Sequence, residues 1–413
     1  MRILWLFLLC YSSLLATDAT LDIVKTIGKL PKVAIFYQNT DPYLKKIARL
    51  LASDLKISGH FEVMGAPQIQ TQTPSYDSLA TKGIQILVEI KADQNHQIHA
   101  TLYDIANRSI KASKDYEFNT KALYPFIAHR VAIDTNALIQ APSIAWMQRM
   151  VVFAKYLSPG VTSIVVADYT LSYQQEIIKN NLLNIFPKWA NADQSAIYFT
   201  QYLREPTIIK YDIRTGKSEA ITQSSGMAAV SSVSKNGDKL LLSLAPDGQT
   251  DIFFYDTLKK SLKRLTTYSG IDVMGTFVDN EKAMVFVSDR SGYPNIYLKK
   301  LRENAPVEQV VFYAKNNDSI TASGDNIVYV SREDKDANGQ STFNLHLITL
   351  KSDYVRRLTV SGVNQMPRFS YDGKAVMFLK KAASQSALGV ILLDSNQSYL
   401  FPLENLEIQS FDW

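Results

Sequence analysis

The chain has 413 residues, enough for two domains with separate cores. Its 44 Lys and Arg stand against 39 Asp and Glu, a formal charge of +5. The two signs are interspersed, which excludes a nucleic-acid binder built on a basic stripe.

In chain order, "MRILWLFLLCYSSLLATDA" places Arg2 before an apolar run, Ile3 to Leu9, and then small and polar residues. This is the pattern of a secretory signal over residues 1–19, too short for a stable bilayer span, with cleavage after Ala16 or Ala19. Cys10 raises the alternative of a lipidated cysteine, but Leu9 stands where lipid attachment needs a small side chain. Once the signal is removed no cysteine remains, so stability must come from burial rather than a disulfide.

Residues 20–140 read as a small αβ domain. "KVAIFY" is a buried strand, and "PYLKKIARLLASDLKIS" carries Leu44, Ile47, Leu51 and Leu55 at helical spacing until Gly59 ends it. "HFEVMG" is a second strand, and a short helix surrounds Ser75–Thr81. Three strands of a meander ("IQILVEIKA", "QIHATLYDI", "ASKDYEF") and a helix over about Lys121–Leu138 follow. "QAPS" (Gln140–Ser143) is the expected boundary.

Residues 145–413 repeat. Apolar runs begin at Val151, Ile197, Leu240, Met284, Ile327 and Val376, at intervals of 46, 43, 44, 43 and 49 residues. A period in the forties with β-branched and aromatic runs marks propeller blades, each a four-stranded antiparallel sheet. The other strands recur in step. "SIVVADY", "TIIKYDI", "DIFFYDT", "NIYLKKL", "FNLHLIT" and "GVILLD" follow the first runs, and "KNGD", "YDGK" and "RTGK" are hairpin turns. A β-sandwich has no reason to repeat four strands in one order six times. The predicted fold is therefore mainly β, a six-bladed β-propeller preceded by a small αβ domain. The first unit begins one strand late at Val151, and Glu407–Trp413 matches the inner strands of other units. The C-terminal strand is thus expected to complete the first blade.

A secreted chain with this αβ domain and six units carrying "VSDRSGYPNIYLKKL", "RRLT" and "PRFSYDGKAVMF" resembles the TolB family, the periplasmic component of the Tol–Pal system of Gram-negative bacteria. "ASDLKISGHFEV", "AHRVAIDTNALI" and the final "IQSFDW" extend the resemblance over the whole mature chain. The family's Ser-Pro-Asp-Gly blade turn stands here as "SKNGD", "VDNEK" and "SYDGK", without the proline, so contact residues are not carried over one by one.

Catalytic chemistry finds no footing in the sequence. There is no G-x-S-x-G elbow, phosphate loop or H-E-x-x-H pair. Of His60, His96, His99, His129 and His346 only "HQIH" brings two close, and residues three apart on a strand point to opposite faces. His129 suits a structural hydrogen bond. "DKDANG" (Asp334–Gly339) opens like a calcium loop, but Leu345 stands where the closing Glu belongs, which favours a solvated hairpin tip. Asp247, Asp289 and Asp372 read as turn caps. No catalytic, cofactor or metal residue is expected.

A propeller lacking such groups binds where loops from all blades converge, at a channel mouth. The segments entering the inner strands centre on Leu183–Phe186, Gly226–Ala229, Gly270–Val273, Asn316–Ser319, Val363–Met366 and Leu406–Ile408. Their mixture of apolar and polar residues suits a protein partner, with Met227, Ile271, Asp272, Asn317 and Gln365 as expected contacts. The resemblance implies that this partner is a Pal-like peptidoglycan-associated lipoprotein. It also implies that a TolA-like inner-membrane protein engages the start of the mature chain, about Thr17–Leu30, whose apolar cluster is Leu21, Ile23 and Val24. Two readings of that tail stand: a strand added to a partner's sheet, or one packed on its own domain. The expected function is a non-enzymatic periplasmic adaptor supporting outer-membrane integrity and invagination during cell division. The rival is a propeller-bearing periplasmic hydrolase or carbohydrate binder, marked by aromatic side chains beside facing carboxylates at a mouth.

Overall fold

The computed structural model describes residues 30–38, 41–70, 75–93, 97–117, 120–312, 315–335, 339–381 and 385–413. The signal segment, the tail cluster Leu21, Ile23 and Val24, His96 and the centre of the Asp334–Gly339 motif lie outside them.

The αβ unit is a mixed sheet. Its strands are β1 (Lys32–Gln38), β2 (Glu62–Val63), β3 (Gln68–Gln70), β4 (Ile86–Ala92), β5 (Ile98–Asp104) and β6 (Ser109–Tyr116). They run in the order β2-β1-β4-β5-β6, with β3 also paired to β1. Helix α1 (Pro42–Ser58) starts where the Asp41 carboxylate accepts the Tyr43 N–H at 2.8 Å and Pro42 supplies a first-turn residue with no N–H to satisfy. Its stripe Leu44, Ile47, Leu51 and Leu55 is fully buried, and Gly59 ends it in the left-handed region at φ 72°. A short α2 (Tyr76–Thr81) follows, and α3 (Tyr124–Leu138) packs beside α1.

Six four-stranded antiparallel blades complete the chain. Blades 2 to 6 begin with inner strands Asn184–Trp189, Ala228–Val233, Asp272–Val278, Lys315–Ser323 and Val363–Phe369. A parallel bridge, Phe343 to Val363, joins the sheets of blades 5 and 6. Each second strand is covered by neighbouring blades on both faces, so it is a continuous apolar run rather than an alternating one. Ala283–Ser288, "AMVFVS", is buried at every position. Complete burial of Met284, Val285 or Phe286 contributes about 1.5–3 kcal/mol each.

The ring closes through the chain's end. Strand Ile408–Asp412 pairs antiparallel with Val151–Ser158, setting Phe411 opposite Phe153 and Asp412 opposite Val152. The pairing expected from the late start of the first unit is present.

The αβ unit docks on blades 1 and 6 through one continuous core that includes Leu55, Val131, Trp146, Val390 and Trp413. A polar knot is buried within it. His129 on α3 lies 2.7 Å through Nδ1 from Asp54 of α1, and 3.3 Å through Nε2 from Asp168 at the end of a blade 1 strand. Tyr169 donates its hydroxyl to Asp54 at 2.6 Å, and the Tyr173 backbone N–H donates to Asp168 at 2.6 Å. His129, Asp54 and Asp168 have no solvent exposure. The structural role expected for His129 is therefore present, with partners distant in sequence. Burial opposes its charge, but Asp54 and Asp168 outweigh that opposition and raise its pKa from 6.5 to about 9.

Candidate functional site

All six inner strands run in the same direction through the channel, so each mouth is built from equivalent segments. We call the mouth where they begin the upper mouth, and the mouth where they end the lower one. A common irregularity shapes the upper half. Every inner strand shifts register against its neighbour, between Ile185 and Lys188, Val230 and Ser232, Val273 and Thr276, Asp318 and Thr321, Gln365 and Arg368, and Ile408 and Ser410. At four of these bulges a non-glycine residue is left-handed: Phe186, Met274, Ser319 and Met366, with φ of 53°, 58°, 49° and 53°. A bulge interrupts the strict alternation of side chains along a strand. Phe186, Met274 and Met366 thereby join Met227 around a small cavity of about 100 Å³ inside the upper mouth. Methionine adapts its shape to irregular partners, so this wall suits an inserted side chain better than a fixed polar ligand.

The expected contacts divide into two sets. Met227 lines the cavity, Ile271 is 52% exposed on the rim, and Gln365 is partly exposed one position before Met366. Asp272 and Asn317, by contrast, have no exposure at all. The Arg290 Nη2 group donates to both Asp272 oxygens at 2.9 Å, while the guanidinium stacks within 4.9–5.2 Å of Tyr268, Phe286 and Tyr297. Asn317 donates its side-chain amide to Asn295 at 3.1 Å and its backbone N–H to Pro294 at 2.9 Å. Asn184 and Asn364 make the same kind of tie, reaching Thr162 at 3.0 Å and Phe343 at 2.9 Å on the preceding blade. Asp272 and Asn317 therefore hold the mouth's segments in place and do not present themselves to a partner. Buried polar groups need internal partners, and these positions supply them.

The same geometry explains "SDRSGYPN". Asp289 accepts the Ile271 N–H at 2.8 Å, and Arg290 holds Asp272, so two adjacent residues of that turn fasten the loop that presents Ile271. Gly270 is needed where this loop passes the turn, because a Cβ there would collide with Asp289 and Tyr268. Gly270→Ala should lower stability by about 1–3 kcal/mol in urea denaturation, since the obstruction includes a ring edge packed under Arg290. An unchanged midpoint would show that the loop relaxes freely.

The mouth segments expected from sequence contain Met227, Phe186 and Met366, although of these only Met227 was among the expected contacts, and Met274 lies outside the segments altogether. The signal for Phe186, Met274 and Met366 was the bulge, which period-two counting does not register. Among the described residues no group of three or more His, Cys, Asp or Glu side chains could hold a metal ion.

Comparison with known proteins agrees with this architecture. The model of the TolB beta propeller domain matches residues 136–413, and that of the TolB amino-terminal domain matches residues 19–110. A Tol-Pal system protein TolB of Helicobacter pylori is 52% identical over 419 residues, covering 100% of both chains. One from Campylobacter jejuni is 39% identical, again over 100% of both chains. The crystal structure of TolB from Acinetobacter baumannii superimposes with a TM-score of 0.77 at 22% identity, over 94% of this chain and 97% of that one, and so shares the fold. Matched along its full length by these relatives, the chain belongs to the TolB family of Tol–Pal system proteins.

Proposed function

We propose that this protein is a non-enzymatic periplasmic adaptor that holds a Pal-like lipoprotein at the upper mouth of its propeller. A TolA-like inner-membrane protein would engage the segment Thr17–Leu30. The adaptor would thereby support outer-membrane integrity and invagination during division. The observation that carries the reading is the ring of Phe186, Met227, Met274 and Met366 with Ile271 exposed above it. Apolar anchors near the centre of a rigid rim are where binding energy concentrates in protein interfaces. Two carboxylates near this mouth are held in ion pairs, Asp272 accepting from Arg290 at 2.9 Å and Asp251 from Arg264 Nε at 2.9 Å.

Calorimetry with a purified Pal-like partner tests the proposal. Met227→Asp and Ile271→Asp should each weaken binding by at least about 2 kcal/mol. Ile271→Asp should leave the melting temperature nearly unchanged, because Ile271 is half in solvent already. Wild-type affinity in both variants, with loss of binding from changes at the lower mouth, would place the partner on the other face.

A further inference from the structure

The lower mouth opens on a separate cavity of about 390 Å³, and its chemistry is the reverse of the upper one. Four cationic side chains line it, Arg149, Lys188, Lys235 and Arg368, against two carboxylates, Asp412 and Glu281. Both carboxylates are already engaged. Asp412 lies 2.8 Å from Lys188 Nζ and 3.3 Å from Arg368 Nε, and also accepts the Trp189 backbone N–H at 3.0 Å. Glu281 holds Lys239 at 3.1 Å and the Lys235 backbone N–H at 2.7 Å. One buried carboxylate thus serves two cations. Burial disfavours the charged forms of both Lys188 and Arg368, and their mutual repulsion adds to this at Lys188.

Arg149 stands apart from these pairs. Its guanidinium lies 5.0 Å from the ring of Tyr371, and its Nε is buried without an acceptor. Four cations against two carboxylates that are already engaged leave an excess of positive side chains around one cavity, which matches a ligand rich in acceptor oxygens.

We propose that the lower mouth is a binding site for a small oxyanion bearing carboxylate or phosphate groups. Arg149 and Lys188 are its principal cations. The cavity falls within the size range of small-ligand sites, room for a di- or tricarboxylate or a pyrophosphate. A planar guanidinium next to an ammonium suits oxygens of either class. This site shares the channel with the apolar cavity above, and Lys188 and Arg368 line both, so the two ligands would meet at that level.

The test is a titration of the mature protein with inorganic phosphate, pyrophosphate and citrate, by calorimetry and thermal shift at constant ionic strength. Saturable binding of at least one probe with Kd below about 1 mM is expected. Arg149→Met and Lys188→Met should each weaken it at least about tenfold. Asp412 keeps Arg368 as a partner in Lys188→Met, so that variant should fold. Lys259→Met, on an exposed turn, should bind the probe as wild type does. No saturable binding by any probe would overturn the proposal, as would binding indifferent to both Arg149→Met and Lys188→Met. Neither result depends on whether the upper mouth holds a lipoprotein.

Discussion

Deleting residues 408–413 should abolish the single cooperative unfolding transition of the propeller. The deletion removes the whole inner strand of blade 1 and exposes a sheet edge on Val151–Ser158. It also removes Phe411, which is fully buried, and Asp412, leaving Lys188 and Arg368 as buried cations without their carboxylate. Loss of a core aromatic costs about 3–5 kcal/mol, and unpairing a buried ion pair costs a similar amount. Together these are comparable with the 5–15 kcal/mol by which whole domains of this kind are stable, roughly speaking. Denaturant unfolding followed by tryptophan fluorescence and circular dichroism gives the answer. Coincident transitions with a wild-type midpoint would mean that closure contributes little.

The second large effect lies in the knot between the αβ unit and blade 1. His129 has its pKa raised from 6.5 to about 9 in the folded protein. A raised pKa stabilises the fold fully below the unfolded value, and that contribution disappears as pH rises through the folded value. Stability should therefore fall by roughly 3 kcal/mol between about pH 6.5 and 9, the free-energy equivalent of the shift. His129→Gln should flatten this pH dependence. It should also destabilise at neutral pH by about 3–5 kcal/mol, because Asp54 and Asp168 would then be buried without a cation. Urea midpoints for both proteins from pH 6 to 10, a range on the order of the titration window, decide it. Parallel curves would show that His129 is neutral and that its hydrogen bonds alone hold the interface.

Much of the fold was legible because its determinants are local and periodic. The apolar second strands recur at a fixed interval since each is covered on both faces, and the stripe Leu44, Ile47, Leu51 and Leu55 marks α1 for the same reason of burial. The site was less legible. Met227 and Ile271 lie where their position ahead of an inner strand suggested. Asp272 and Asn317, which share those segments, are turned inward by Arg290 and Asn295, and nothing in a polar residue's type reveals which way it faces. The bulges that bring Phe186, Met274 and Met366 to the cavity depend on pairing with a neighbouring strand. The lower-mouth cations come from separate blades, with Arg149 and Arg368 far apart in the chain. Only the closed ring assembles them.

Closure by the last strand also governs the order of folding. Trp189 and Asp412, bonded across the ring, are 223 residues apart in the chain. Contacts of such separation form late, because the entropy of closing the loop must be met before the contact stabilises anything. Blades 2 to 6 can each complete their four strands from one continuous segment, whereas blade 1 must wait for residues 408–412 with its Val151–Ser158 edge unpaired. A chain folding from its N-terminus therefore carries this open strand edge from the completion of Val151–Ser158 until residues 408–412 arrive. That interval is its period of greatest exposure to misassociation, and the one in which a holding chaperone would matter most.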